Sequence, residues 1–308
     1  MNTPFDKRIT DKESILTLNG QLSIWSWYGV PTSEGQGQAG VCPTQELVDA
    51  YEMANGEPAI TGYSDADHLK PIINSASGYD ESNPYANRDP RFYACVYYNG
   101  SQWYAPAAGR SYIMQTYEGG AEGISQKDVK HTPTGYYLRK YNSWRSSKSG
   151  NSDGYVRIFR LAELYMNFAE AAYQAGSPDT KVSIGGSMSM SARDAVNAIR
   201  ERAGMPDLPA GMSKDNFQTR YRNERRIEFA FEGQRFYDLR RWKVMDDNCK
   251  VLSGMDITKD GSNLTYKRFR FTNRAAVGDK YLLYPLGREE VNKMLKLSGE
   301  NWQNSGWD

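Results

Sequence analysis

The stretch RNERRIEFAFEGQRFYDLRRWK, from Arg222 to Lys243, decides the fold of this chain. Its large apolar side chains are interspersed with arginines and carboxylates, whereas an ordinary surface helix separates the two kinds onto opposite faces. These apolar residues are Ile227, Phe229, Phe231, Phe236, Tyr237, Leu239 and Trp242. We therefore predict that protein encloses the segment on several sides and that its charges are paired, because an unpaired buried charge is very costly.

Glutamates recur in this segment at helical spacing. Glu224, Glu228 and Glu232 lie four residues apart, so they form one acidic row along a helix. The arginines of the same segment are predicted to brace that row, namely Arg222, Arg225, Arg226, Arg235, Arg240 and Arg241. A carboxylate that is paired with arginine has a depressed pKa and is a poor general acid. The pattern favours a structural ion-pair lattice over acid–base chemistry.

The flanking sequence, from residue 151 to about residue 250, has the apolar periodicity of helices. The predicted helices run over about residues 155–175, 191–203, 213–231 and 234–246, with a flexible excursion at 181–190. Ser191 and Ser213 are plausible N-caps, and Gly176 and Gly233 are plausible breaks. Antiparallel helices of this length are typical of tetratricopeptide-like hairpins. The predicted fold class is mainly α, with a large irregular loop-rich region and a few short strands.

The two ends of the chain have the composition of ordered loops. Residues 1–150 are rich in Gly, Pro, Asn, Ser and Tyr, with a helix predicted at 44–54, a strand at 92–98 and a turn at Asn99-Gly100. Residues 251–308 are predicted to be a loop-rich segment that packs back on the helices, ending in a short helix at 289–297. The basic and aromatic run Lys267–Phe271 favours a half-buried strand over a nucleic-acid stripe, because it is short.

Composition excludes several classes of function. The 308 residues carry a net charge of +1, which favours neither nucleic acid nor an anionic membrane as a partner. Mean hydropathy is −0.73, and no apolar run is long enough to span a bilayer. The cysteines Cys42, Cys95 and Cys249 have no metal-ligand spacing, and the two histidines are isolated. No metal site or cofactor is predicted, although the acidic loop Ser64–Asp67 leaves a structural calcium ion open.

Six blocks in the same order resemble one family. The Arg222–Lys243 stretch is similar to the C-terminal signature of the SusD/RagB family, the surface glycan-binding lipoproteins of Bacteroidota. The six ordered blocks that agree beside it are PTQELVDAYEMANG at 43–56, NPYANRDPRFYACVYYNGSQW at 83–103, GYYLRKY at 135–141, YVRIFRLAELYMNFAEAAYQAG at 155–176, AVNAIRERAGMPDLPAG at 195–211, and YLLYPLGREEVNKMLKLSGENWQNSGW at 281–307. The resemblance covers the chain from about Leu22 onward.

The resemblance implies a role at the cell surface. Proteins of this family capture oligosaccharides for a SusC-like TonB-dependent transporter at the extracellular face of the outer membrane. They usually carry a secretory signal, a lipidated cysteine and an N-terminal helical region, and the first residues MNTPFDKRITDKES match none of these. The chain is therefore expected to be the C-terminal portion of such a protein, attached to the membrane only through a lipid anchor outside this sequence.

Aromatic side chains in polar loops are the candidate sugar platforms. Tyrosine is abundant, with 22 residues against 10 phenylalanines, and Tyr and Trp combine an apolar face with a polar group. Loops on a rigid scaffold usually carry recognition. We predict ligand contacts from three clusters, which are Trp103 with Tyr104, Trp144 with Asn142 and Arg145, and Trp25 with Trp27 and Tyr28. Trp103 and Trp144 are the preferred stacking residues, and no catalytic residue is predicted.

Three functions remain open at this point. A non-catalytic glycan-binding subunit is the leading interpretation. A protein–protein scaffold is the second, since tetratricopeptide-like helices usually have that role. A glycoside hydrolase is the third, and it would require two carboxylates about 5 to 10 Å apart in a cleft.

Overall fold

A computed structural model describes the chain over residues 12–19, 29–31, 33, 37–105, 110–125, 128–141, 155–245, 249–275 and 278–307. Within those ranges the α-helices are α1 (Gln45–Ala50), α2 (Pro90–Cys95), α3 (Leu161–Ala175), α4 (Ala192–Ala203), α5 (Lys214–Glu228), α6 (Gln234–Arg241) and α7 (Arg288–Ser298). A 3-10 helix covers Asp279–Leu282. The prediction of a mainly α fold is confirmed.

The strands pair two by two instead of forming one sheet. They are β1 (Ser14–Asn19), β2 (Ile60–Tyr63), β3 (Pro71–Ile73), β4 (Val96–Tyr97), β5 (Gln102–Ala105), β6 (Arg110–Ile113), β7 (Tyr137–Leu138), β8 (Tyr155–Arg160), β9 (Val182–Gly185), β10 (Met188–Met190), β11 (Val251–Asp260) and β12 (Asn263–Asn273). All the pairs are antiparallel, and they are β1–β8, β2–β3, β4–β7, β5–β6, β9–β10 and β11–β12. Each pair needs helices or loops to cover it, because an isolated two-stranded sheet is marginally stable.

Helices α3, α4 and α5 enclose the main apolar core. Small alanines, Ala162, Ala169 and Ala195, let the helices approach, and Tyr173 and Phe217 fill the space between them. Helix α4 begins at Ser191 with a reciprocal capping box to Asp194 and ends at Gly204 in the left-handed conformation. Helix α5 begins after Ser213, whose hydroxyl accepts from the Asn216 N–H. The caps predicted at these two serines are therefore confirmed.

The segment 222–243 is enclosed as predicted around Ile227 and Phe229, but the prediction is wrong for Phe236 and Tyr237 on α6, which are 41% and 62% exposed. Ile227 belongs to the core that α1, α2 and β11 form, whereas Phe229 belongs to the core of α3–α5. Phe231 and Gly233 adopt positive φ angles of 64° and 80°, which turn the chain between α5 and α6. The apolar residues of this segment therefore join the helical core to the loop-rich part of the molecule.

The acidic row, with Glu224 and Glu228 on α5 and Glu232 just after its end, is paired, but its partners differ from the predicted ones. Arg200 Nη1 lies 2.7 Å from Glu224 Oε2, and Arg160 Nη1 lies 2.7 Å from Glu228 Oε1. Glu232 is bound by Arg160 at 2.8 Å and by Lys140 at 2.6 Å. The prediction that the segment's own arginines brace the row is wrong, because cations from β8, α4 and the β7 region approach this face.

Those arginines have other partners. Arg225 Nε binds Asp238 Oδ2 at 2.8 Å, which ties α5 to α6. Arg241 Nη1 binds Glu170 Oε1 at 2.6 Å, which ties α6 to α3. Helical periodicity places a charge on a face, but it does not say which distant element meets that face.

Three predicted elements have a different structure. Phe92–Cys95, predicted as a strand, belongs to α2, because Asp89 caps the helix and Pro90 occupies its first turn. Residues 155–160 form β8 in place of the predicted first turns of α3. The excursion at 181–190 is the hairpin β9–β10.

A long hairpin replaces most of the loops that were predicted after residue 247. Strands β11 and β12 pair from Val251 with Asn273 to Asp260 with Asn263. Gly261 and Ser262 form the two-residue connection, and Gly261 has φ 60°, as the favoured hairpin turns require. The strand predicted at Lys267–Phe271 is confirmed within β12. The tip of this hairpin borders the groove described next.

Candidate functional site

A groove of about 600 Å³ lies between the tip of the β11–β12 hairpin and the Asn99-Gly100 turn. It is lined by Asn99, Gly100, Ile113, Met114, Gln115, Tyr117, Lys259, Gly261, Ser262 and Leu264. The turn is closed by the hydrogen bond that the Ser101 N–H donates to the Tyr98 carbonyl at 3.0 Å, which confirms the predicted turn. Gly100 has φ 86°, a conformation that favours glycine. The Gly100 N–H donates to the Met114 carbonyl at 2.9 Å, and the Met114 N–H donates to the Ser101 carbonyl at 2.9 Å, so backbone hydrogen bonds hold this wall of the groove in place.

Two amide side chains in the groove have unused donors. Asn99 Oδ1 accepts from the Thr116 N–H at 3.1 Å, and Gln115 Oε1 accepts from the Tyr117 hydroxyl at 3.0 Å. Among the residues that the structure describes, neither Asn99 Nδ2 nor Gln115 Nε2 has a hydrogen-bond partner. Gln115 is exposed and Asn99 is 8% exposed, so Gln115 Nε2 is the more accessible donor for a ligand's oxygen atoms.

Tyr117 is the aromatic side chain of the groove. Its ring is half-buried and packs beside the core of α1, α2 and β11. Lys259 Nζ lies 4.7 Å from the ring centroid, and Ile113 is 53% exposed at the same wall. The groove thus combines an aromatic ring, an aliphatic contact and several donors, which suits a ligand with apolar C–H faces and hydroxyl groups.

Trp103 does not have the predicted exposure. It is 2% exposed, and its ring lies 4.7 Å from the Tyr97 ring and 6.0 Å from the Tyr112 ring. Val30, Ala39 and Tyr137 complete the cluster around it. The structure therefore contradicts a stacking role for Trp103, because a ring without an exposed face cannot pack on a sugar.

The structure does not describe the side chains of the other residues that were predicted to contact the ligand. Trp25, Trp27, Tyr28, Asn142, Trp144 and Arg145 lie outside the described residues. Tyr104 lies on β5, where its backbone pairs with Ser111 on β6. The roles of these seven residues stay predictions.

A second cavity, of about 330 Å³, lies beside the acidic row of α5. Its carboxylates, Glu13, Glu228 and Glu232, are all bound by Arg160. Burial opposes ionisation of Glu228 and Glu232, but the neighbouring positive charges outweigh it and hold the pKa of each carboxyl below its usual range. A catalytic acid needs a pKa near the working pH, so these groups are suited to structure and not to proton transfer.

Metal-binding groups are not assembled in the described part of the chain. No group of three His, Cys, Asp or Glu side chains is placed there to hold an ion. In the loop Ser64–Asp67, Asp65 accepts backbone N–H groups from Leu69 and Lys70, and Asp67 binds Arg270 at 2.7 Å. A calcium ion in this loop stays a prediction. No helix of the described ranges has the length and apolarity of a membrane span.

Sequence reasoning missed Tyr117, Gln115 and Lys259. The segment MQTYEGG at 114–120 has turn residues around one aromatic side chain, which is the same signal that drew attention to Trp103. The β11–β12 hairpin, by contrast, had a Gly-Ser connection between alternating residues that identifies a hairpin tip. The sequence alone does not show that these two segments lie side by side. In the structure they are connected by the hydrogen bond that the Glu118 N–H donates to the Ile257 carbonyl at 2.7 Å.

A family model and solved structures of other proteins give the same family for this chain. The SusD family model matches residues 10–307. A solved SusD-like protein from Bacteroides fragilis is 30% identical, with a TM-score of 0.74 over 96% of this chain and 55% of that one. A SusD-like carbohydrate binding protein from the same species, 22% identical, has a TM-score of 0.66 over 92% of this chain and 54% of that one, and it shows the fold alone. The search of curated proteins found no match.

The chain thus spans about half the length of the solved structures to which it is similar. The family model covers nearly all of it, and the helical arrangement agrees with that of the Bacteroides proteins. The chain belongs to the SusD family.

Proposed function

We propose that this protein is a non-catalytic subunit that binds oligosaccharides at the cell surface and passes them to a SusC-like TonB-dependent transporter. The observation that carries the proposal is the groove between the Asn99-Gly100 turn and the β11–β12 hairpin, which holds an aromatic ring beside unused amide donors. A similar SusD-like protein is described as carbohydrate binding, which supports this ligand class.

The chemistry of the groove matches the surface of a sugar. A pyranose presents C–H groups on its faces and hydroxyl groups around its edge. The faces would pack on the exposed part of the Tyr117 ring and on Ile113. The hydroxyl oxygens would accept from Asn99 Nδ2 and Gln115 Nε2, and Ser262 would supply a further hydroxyl at the rim. No cofactor is needed for binding of this kind.

Hydrolysis is a weaker alternative. A glycosidase needs one carboxylate as acid and a second as base or nucleophile in the same cleft. The described lining of the groove contains neither Asp nor Glu. The acidic cavity beside α5 has carboxylates, but arginines and a lysine bind them.

The proposal places the protein at the extracellular face of the outer membrane, with membrane attachment through a lipid anchor. Trp144, Trp25 and Trp27, which lie outside the described residues, stay predicted ligand contacts. Neither nucleic acid nor the lipid bilayer itself is a proposed ligand, since the net charge is +1.

Calorimetric titration with laminarin, xyloglucan, galactan, dextran and polygalacturonate tests the proposal, with a parallel assay for released reducing sugar. We expect saturable binding to at least one polymer and no sugar release. Tyr117→Ala should weaken that binding about threefold to tenfold, whereas Tyr117→Phe keeps the ring and should weaken it less. Tyr284→Ala is the control, because Tyr284 is 58% exposed, contacts Phe236 and does not line the groove. Sugar release would support the hydrolase, and binding that Tyr117→Ala leaves unchanged would remove the groove from the proposal.

A protein–protein scaffold is the second candidate, and a specific surface favours it. Phe236, Tyr237, Tyr284 and Trp302 are 41%, 62%, 58% and 52% exposed, and the Phe236 ring contacts the rings of Tyr237 and Tyr284. Exposed apolar patches of this kind mark interaction sites. Absence of binding to every polymer by a folded, monodisperse sample would favour this second function.

A further inference from the structure

Lys259 is an exposed lysine at the groove, and it differs from Lys140 and Lys181 in having no acidic partner among the described residues. Lys140 binds Glu232 at 2.6 Å, and Lys181 binds Asp194. Lys259 forms no ion pair within the described residues, and its ammonium group lies over the Tyr117 ring. It is also the one charged side chain among the described residues that line the groove.

We infer that the groove selects acidic oligosaccharides, whose uronic-acid units carry a carboxylate, over neutral ones. This inference rests on the proposed function and specifies its substrate class. A uronate packed beside Tyr117 would bring its carboxylate within reach of Lys259 Nζ. Asn99 Nδ2 and Gln115 Nε2 would supply two further donors to the acid or to neighbouring hydroxyl groups.

The expected preference for acidic ligands comes from Lys259 in the groove and not from the net charge of the protein. The whole chain has a net charge of +1, so it attracts anions weakly at long range. The described groove lining contains no carboxylate that would repel a uronate. The acidic oligosaccharide therefore gains one exposed ion pair with Lys259, which corresponds to a Kd lower than that of the neutral form by about twofold to fivefold.

The test compares two ligands that differ only in charge. Short oligogalacturonate and the same oligosaccharide with its carboxylates reduced to alcohols are titrated into the protein at low and at high salt. We expect the acidic form to bind more tightly by about twofold to fivefold at low salt, with a smaller difference at high salt. Lys259→Gln should abolish the preference, and Lys259→Arg should retain it. Lys296→Gln, an exposed lysine of α7, should leave it unchanged.

The outcomes separate the inference from the proposed function. Equal binding of the two forms, weakened alike by Tyr117→Ala, overturns the inference and leaves the groove as a site for neutral glycans. A preference that persists in Lys259→Gln also overturns it. If neither form binds, the inference fails, and the neutral polymers of the titration panel decide the proposed function.

Discussion

Charged side chains bind each other in the helical half of this molecule, whereas the charged side chain of the groove has no acidic partner among the described residues. Around α5, carboxylates and arginines are buried and bound to each other, as between Arg160 and Glu228 at 2.7 Å. In the groove, Lys259 has no described acidic partner, and Asn99 and Gln115 have free donors. Paired groups hold helices together, whereas unpaired groups at a surface are available to a ligand. We propose on this basis that recognition takes place in the groove.

The largest expected effect comes from breaking the ion-pair lattice at Glu228, which is 4% exposed. Glu228→Gln removes the charge that faces Arg160, Arg202 and Arg91, and it should lower the free energy of unfolding by about 3–5 kcal/mol. Urea unfolding measures the change. Glu201→Gln, on the exposed face of α4, should alter it by less than about 0.5 kcal/mol. Equal effects of the two substitutions would contradict a structural role for the lattice.

The second effect tests the buried position of Trp103. Trp103→Ala empties a site enclosed by Tyr97 and Tyr112 and should cost about 3 kcal/mol of stability. Trp302→Ala removes a side chain that is 52% exposed and should cost less than about 1 kcal/mol. Thermal unfolding of both variants gives the comparison. A similarly small loss of stability in both variants would mean that the Trp103 ring is exposed to solvent.

The third effect is acid sensitivity of the lattice. The pKa values of Glu228 and Glu232 are lowered in the folded protein, so their contribution to stability is complete above the unfolded pKa of about 4.3. That contribution is lost as the pH falls from there through the lowered folded values. We expect the free energy of unfolding to drop between pH 5 and pH 3 more steeply for the natural chain than for Glu228→Gln. Parallel pH profiles would show that Glu228 does not carry the dependence.

The smallest effect concerns the hairpin tip at the groove. Gly261→Ala places a Cβ at φ 60°, which should cost about 1 kcal/mol. No atom lies within 4 Å of that Cβ, so the cost is conformational and not steric. Gly287→Ala, at negative φ and also in open space, is the matched control. An equally small change in both variants would indicate that the tip has another turn conformation.

Local signals in the sequence predicted much of the helical half and little of the groove. The caps at Ser191 and Ser213 and the burial of Ile227 and Phe229 follow from patterns within one segment, whereas the exposure of Phe236 and Tyr237 was not predicted. The partners of Glu224 could not be predicted, because Arg200 and Arg91 come from distant elements. Trp103 was misjudged for the same reason, since its polar neighbours in sequence conceal a core built from Val30, Ala39 and Tyr137.

The most direct test of the central claim is hydrogen–deuterium exchange of the protein alone and with the oligosaccharide that the titrations identify. The account predicts slower exchange on binding in residues 99–100, 113–117 and 259–264, which contain the groove lining, and no change in residues 222–243. Slower exchange confined to residues 222–243 and 157–160 would place the ligand in the ion-paired cavity, and it would contradict the assignment of recognition to the groove.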